Sequence, residues 1–274
     1  MDWPLSRGGS RFATLGADAA STSPATINPT PAHTKSTWLE LSAATPFHAS
    51  GFILQHSGGS AGNPSFLDIG IGAAAAEVVI LPNVITDTRQ PANWVVSCYY
   101  PIPIAVGSRV AMRGQVAVAS DPITVIMTLV GGGFWSDDPL LGASAEVLNL
   151  DFTTTRILNS PTAAANNVKG GWVELIAATA FSSRWAVFYM TNRNRTAISG
   201  AFYRLDIGIG AAASEVVLIP DVSANSSTLT DVISNTLLGP FWVPIPEGSR
   251  LAYRYQASFG NPSAEIGVSG HLLS

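Results

Sequence analysis

The stretch from Leu67 to Pro82 reads LDIGIGAAAAEVVILP, and it returns as LDIGIGAAASEVVLIP from Leu205 to Pro220. Thirteen of these sixteen positions are identical, and two of the three differences exchange Ile and Leu. A self-match of that length marks an internal repeat, and a repeat outranks any local assignment in deciding architecture. Within the stretch, Leu67-Asp-Ile-Gly-Ile-Gly72 alternates apolar with small or polar residues, the period of a half-buried strand. Its glycines would let a neighbouring strand or loop come close. Ala73–Ala76 has helical propensity but is too short to sustain a helix. The Val-Val-Ile-Leu that follows is strand-like and stops at Pro82. The stretch therefore predicts two strands joined by a hairpin or tight corner.

Two further blocks flank it in both copies. WLELSAATPF at Trp38 becomes WVELIAATAF at Trp172, with seven of ten positions identical. Pro103-Ile-Ala-Val-Gly-Ser-Arg109 becomes Pro244-Ile-Pro-Glu-Gly-Ser-Arg250, and Ala111, Arg113 and Gln115 match Ala252, Arg254 and Gln256. The offset between copies is 134 residues at the tryptophans, 138 at the Leu-Asp block and 141 at the Gly-Ser-Arg block. The second copy thus carries small insertions between shared blocks, which belong in loops.

Elsewhere, short runs rich in β-branched and aromatic residues recur between Gly, Pro, Asn and Ser clusters: Gly51–Gln55, Trp94–Tyr100, Ile123–Val130, Trp185–Met190 and Leu251–Ala257. That spacing predicts an all-β fold of two tandem, jelly-roll-like antiparallel β-sandwich domains. Residues 1–37, rich in Ser, Thr, Ala and Pro, read as an extended N-terminal arm, held by another subunit or another protein. Residues 38–130 are the first sandwich, 131–171 a linker and 172–274 the second sandwich.

Composition narrows the function classes. The chain is 47% hydrophobic and 12% charged, with a net charge of −4. It has no basic stripe, so nucleic acid is not an expected ligand. Low charge suits a chain whose surface is covered by partners. The longest apolar run, Ala73–Leu81, is interrupted by Glu77 and is too short to span a bilayer, and no signal peptide is visible. A soluble protein made in a cytoplasm is expected. The single cysteine, Cys98, excludes an intrachain disulfide and reads as a small buried hydrophobe.

Chemistry-bearing motifs are scarce. His33, His48, His56 and His271 lack metal-ligand spacing with one another or with Cys98 and read as solvated or capping side chains. Gly70-Ile-Gly72 lacks the third glycine and the helix of a dinucleotide site, and neither a phosphate-binding loop nor a nucleophile elbow is present. No cofactor, metal or catalytic residue is expected, and the chain is not expected to be an enzyme. What does recur is a set of charged residues: Glu40 and Glu174, Asp68 and Asp206, Glu77 and Glu215, Arg109 and Arg250, Arg113 and Arg254. They could serve as paired acids or a cation site; the expected role is structural, as acid–Arg pairs at the strand ends of each unit. Trp38 and Trp172 occupy equivalent positions and read as core anchors, while Trp94, Trp135, Trp185 and Trp242 suit either core or interface. Exposed aromatics on a sandwich can also stack on sugars.

The three blocks in this order, with Asp-Ile-Gly-Ile-Gly the most specific, resemble a group of virion structural proteins of tailed bacteriophages. The pattern occurs from Trp38 to about Val130 and again from Trp172 to about Leu273. The resemblance implies β-sandwich modules on the head or tail of a particle and carries no catalytic residues. The first expectation is a capsid cement or decoration protein in the virion, made in the host bacterial cytoplasm, oligomeric, and bracing the major capsid protein. The alternative is a tail, baseplate or fibre protein that binds a host surface glycan.

Overall fold

A computed structural model of the chain describes residues 11–17, 24–58, 65–86, 96–131, 145–151, 156–159, 166–192, 202–225, 236–258 and 266–274. Among them every regular element is a strand. Two compact units emerge, Met1–Ala145 with Leu273–Ser274, and Glu146–Leu272.

The first unit contains β1 (Arg11–Leu15), β2 (Ala25–Ile27), β3 (Leu39–Ser42), β4 (Gly51–Ser57), β5 (Ser65–Ile71), β6 (Val78–Thr86), β7 (Val96–Tyr100), β8 (Val110–Val116) and β9 (Ile123–Gly131). One sheet has the order β1-β9-β4-β7, with β2 also on β9; the other has the order β3-β8-β5-β6. The second unit contains β10 (Ala145–Leu148), β11 (Leu150–Asp151), β12 (Arg156–Ile157), β13 (Val173–Ile176), β14 (Ser183–Asn192), β15 (Phe202–Ile209), β16 (Val216–Asn225), β17 (Thr236–Ile245), β18 (Leu251–Ala257) and β19 (Ile266–Leu273). Its sheets run β10-β19-β14-β17 and β13-β18-β15-β16, beside a small β11-β12 ladder. Eight strands therefore correspond one to one. Numbered within a unit, both units have one sheet ordered 1-8-3-6 and one ordered 2-7-4-5.

Both sheets of a unit feed one core. In the second unit Leu148, Phe188, Leu238 and Val268 from one sheet cluster with Leu175, Leu205, Ile207, Ile219 and Tyr253 from the other. In the first unit Phe52, Leu54, Met127 and Leu129 are buried on one sheet and Leu67, Ile69, Leu81 and Met112 on the other. Burial of apolar side chains between two sheets is what stabilises a sandwich.

The Ala-rich corner is a hairpin. Strand β5 pairs antiparallel with β6, and the Ala76 N–H donates to the Ala73 carbonyl inside the turn. Gly72 and Gly210 open the two turns at φ of 120° and 122°, a left-handed backbone that a side chain would strain.

The arm and the linker differ from the sequence expectation. β1, inside the 1–37 segment, pairs with β9 of its own unit, and the His33 and Ser36 N–H groups donate to the Val116 and Gly114 carbonyls. β10, inside the 131–171 segment, is the matching edge strand of the second unit, and the Asn167 and Gly170 N–H groups donate to the Ala257 and Tyr255 carbonyls. The described parts of both segments are thus the same component, the first strand of a sandwich and the crossing to its second strand. Residues 1–10 and 18–23 of the proposed arm lie outside the described residues, as do Trp94 and Trp135. The expectation fails here because RFAT and AEVL agree at no aligned position: an edge strand needs the right alternation and not particular side chains.

Candidate functional site

The repeated charged residues gather into two networks per unit, both built on the 2-7-4-5 sheet. In the first network an aspartate at the middle of the fourth strand is opposite an arginine on the seventh. Asp68 and Arg113 are direct cross-strand partners, as are Asp206 and Arg254. The Asp68 side chain is 2% exposed and accepts from Arg113 Nε at 2.8 Å and Lys35 Nζ at 2.7 Å. It also accepts from the Asn83 N–H at 2.8 Å. Local folding explains that last bond. The β5–β6 register slips around Asp68, and Asn83 takes a φ of 52°. A bulge of this kind removes an N–H from the ladder, and the carboxylate accepts from it. The second unit repeats the arrangement: Asp206 accepts from Arg254 at 2.9 Å, Lys169 at 2.6 Å and the Asp221 N–H at 2.9 Å. Here Asp221 replaces Asn83, and its carboxylate adds a 2.9 Å contact to Lys169.

Burial alone would push the Asp206 carboxyl up. The Asp221 N–H, the Lys169 ammonium and the Arg254 guanidinium outweigh it and hold the carboxyl below its ordinary range. Lys35 shows the opposite balance, since burial lowers it despite the attraction of Asp68.

The tryptophans complete this network from outside the core. The Arg113 guanidinium lies 4.6 Å from the Trp38 ring centre, and that of Arg254 lies 4.5 Å from Trp172. Stacking of this kind adds about 0.5–1 kcal/mol at a partly exposed site. Both indoles are half-buried. They lie over Gly70 and Gly208, on the face opposite the core residues Ile69 and Ile207, so they are outer-face braces and not the core anchors expected from sequence. The glycines are required for this approach, since a Cβ at either would stand 2.6 Å from the indole Cη2. Gly208→Ala is accordingly expected to displace Trp172 and cost about 1–3 kcal/mol. Urea unfolding compared with Gly248→Ala is the check. A Cβ at Gly248 would meet nothing within 4 Å, so its penalty is limited to backbone strain at φ 76°.

The second network closes the opposite end of the hairpin. Arg109 donates through Nε to Glu40 at 2.6 Å and through Nη1 to Glu77 at 2.7 Å and to the Gly72 carbonyl at 3.3 Å. Arg250 meets Glu174 and Glu215 at 2.8 Å each and the Gly210 carbonyl at 3.2 Å. One guanidinium thus ties the second strand, the hairpin turn and the seventh strand together. Glu40 and Glu174 are nearly half exposed, so those arms contribute less than about 1 kcal/mol each. Nearby, Thr45 and Thr179 clasp the turn before the arginine: each hydroxyl accepts from the N–H of Ser108 or Ser249 at 3.1 Å.

The twelve residues singled out from sequence therefore meet in these networks. Sequence reading missed Lys35 with Lys169 and Thr45 with Thr179. The signal was present: each lysine stands three residues before its tryptophan, and each threonine ends the shared Ala-Ala-Thr. Chemically, both oxygens of Asp68 and Asp206 are engaged by cations and an N–H, an arrangement that fixes strands. Among the described residues no three His, Cys, Asp or Glu side chains are placed to hold a metal ion.

The histidines divide. His33 and His48 are exposed, but His56 and His271 are 1% and 0% exposed, so the expectation of solvated side chains holds for only two of the four. Neither ring nitrogen of His56 has a hydrogen-bond partner, and burial pushes its pKa down to about 4. Cys98 is buried, and burial pushes its thiol up to about 12, which makes it an inert core group.

No family model matches the chain, and no curated protein matches it. Among solved structures, the tandem CBM22-1–CBM22-2 domain of Paenibacillus barcinonensis Xyn10C is similar at 11% identity, over 98% of this chain and 92% of that one, with a TM-score of 0.28. The VP2 subviral particle of infectious bursal disease virus is similar at 11% identity, over 99% and 73%, with a TM-score of 0.25. The Gx strain of the same virus is similar at 12% identity, over 99% and 72%, with a TM-score of 0.28. At these values none of them bears on what this chain binds or does.

Proposed function

We propose that this chain is a structural virion protein of a tailed bacteriophage, built from two jelly-roll modules and acting as a capsid cement or decoration protein. The observation that carries the reading is the strand order. Two sheets ordered 1-8-3-6 and 2-7-4-5 are the connectivity of a jelly roll, and here it occurs twice in tandem. Jelly rolls occur as viral capsid domains, lectin domains and cupins. The recurrent acids and arginines support the same reading, since they brace the strands of each module. We do not assign the bracing to an exchanged arm, because β1 belongs to its own sandwich. Bracing would instead use the outer faces and loops, with the major capsid protein as partner. Fold likeness does not fix function, so the test is made on particles. Virions assembled without this protein are expected to lose DNA on heating or osmotic shock at milder conditions than complete ones, and adding the purified protein back is expected to restore resistance. Unchanged integrity would exclude a cement role.

A further inference from the structure

The second unit carries an aromatic pair that the first unit lacks at the equivalent positions. Trp185 on β14 and Trp242 on β17 are direct cross-strand partners, with ring centres 6.5 Å apart and planes inclined at 35°. Their neighbours Ala186 and Phe241 turn inward and join or pack against the core. The indoles therefore stand on the outer face. Trp185 is half-buried and Trp242 is 76% exposed, the one large exposed apolar side chain on that sheet among the described residues. At the equivalent offsets of 134 and 141 residues the first unit has Gly51 and Pro101. The same strand order forms there without either indole, with the Tyr99 ring lying over Gly51 instead. The paired indoles present a flat apolar surface with one ring largely in water.

The available area limits what the pair can bind. Two indoles offer at most about 250 Å² each, well short of the roughly 800 Å² per partner of a stable protein interface. Strand addition by another protein is also poorly served. β17 is the last strand of its sheet, but Pro240 and Pro244 on either side of Trp242 remove two backbone donors. A net charge of −4 disfavours nucleic acid. A small ligand with a flat apolar face and a hydroxylated rim satisfies each constraint. The axial C–H groups of a pyranose are slightly positive and pack on the negative face of an indole. Among the described residues β17 has no strand beyond it, and sugar hydroxyls can meet the backbone groups of such an edge.

We infer that Trp185 and Trp242 form a stacking platform for one or two sugar units of an oligosaccharide chain. The inference stands apart from the cement reading, since a sugar site could serve a head or a tail protein. The experiment uses the full chain on an immobilised array of β-glucan, xylan, chitin, peptidoglycan-fragment and bacterial O-polysaccharide probes. Affinity for the strongest binder is then measured by calorimetry for wild type, Trp242→Ala, Trp242→Phe and Trp185→Ala. We expect binding to at least one probe, a loss of about tenfold or more in either alanine variant and most of the affinity kept in Trp242→Phe. Unfolding midpoints unchanged in Trp242→Ala confirm that its loss is local. Absence of binding to every probe overturns the inference, as does binding that Trp242→Ala leaves unchanged. It is equally overturned if Trp242→Ala instead lowers self-association in light scattering, because the pair would then be a protein contact.

Discussion

Asp206→Ala is expected to destabilise the second unit by about 3 kcal/mol, within the usual 3–5 kcal/mol for removing one partner of a buried charge pair. The lower end applies because Arg254 is 31% exposed and water can rescue part of its charge. The loss is large because one carboxylate serves three donors. Without it, Lys169 keeps Asp221 and a 3.4 Å bond to the Arg204 carbonyl, Arg254 keeps its stacking on Trp172, and the Asp221 N–H at the bulge loses its acceptor. The pH dependence has a defined sign. The Asp206 carboxyl titrates below its ordinary value in the folded chain, so its stabilisation is present above about pH 4 and is lost as pH falls through the lower folded value. Urea unfolding at pH 7, followed by tryptophan fluorescence, measures the first effect. A loss under about 1 kcal/mol would show that the network is solvated and contributes little.

Acidification between pH 6.5 and 4 is expected to destabilise the first unit by about 3 kcal/mol through His56. The ring lies on the core face of β4 with Phe52 and Leu54, is 1% exposed and titrates at about 4. An unfolded chain takes up that proton near pH 6.5. Above pH 6.5 both states are neutral and the stabilisation is complete; as pH falls the unfolded chain gains the proton first; below about 4 the loss is full. At the same end of the unit, Ser65 and Thr86 are paired in register on the facing sheet, and their hydroxyls are buried without partners. Cys98, on the core side of β7 opposite Leu54, stays neutral throughout, since its thiol titrates at about 12. At the 134-residue offset the second unit has Met190 in place of His56. His56→Met is therefore expected to leave stability at pH 7 equal or higher and to flatten the dependence. The measurement is the difference in unfolding free energy between wild type and variant at pH 7, 5.5 and 4.5. A constant difference would mean that His56 is hydrated in the folded chain.

Much of this molecule is written in local patterns that survive duplication. The alternation in Leu67–Ile71 and the shared Gly-Ser-Arg turn were enough to place two all-β units and to collect the repeated acids and arginines of both charge networks, whereas the strand end expected at Pro82 is not found, since β6 runs through that proline to Thr86. Those features are legible because strand periodicity, turn chemistry and cross-strand charge pairing act over a few residues and leave the same letters in both copies. Edge strands β1 and β10 were not legible, because the backbone ladder that holds them is indifferent to side-chain identity. Only the tertiary structure could decide the remaining points. It put Trp38 and Trp172 outside the core, because the space over Gly70 and Gly208 exists only once β5 and β15 lie in their sheets. It buried His56, because the polarity of a residue does not reveal which face of a strand will turn inward at the end of a sandwich. And it brought Trp185 and Trp242, fifty-seven residues apart in the chain, to 6.5 Å on the side of their sheet away from the core. Contacts of that separation depend on the register of β14 against β17, which the whole fold sets.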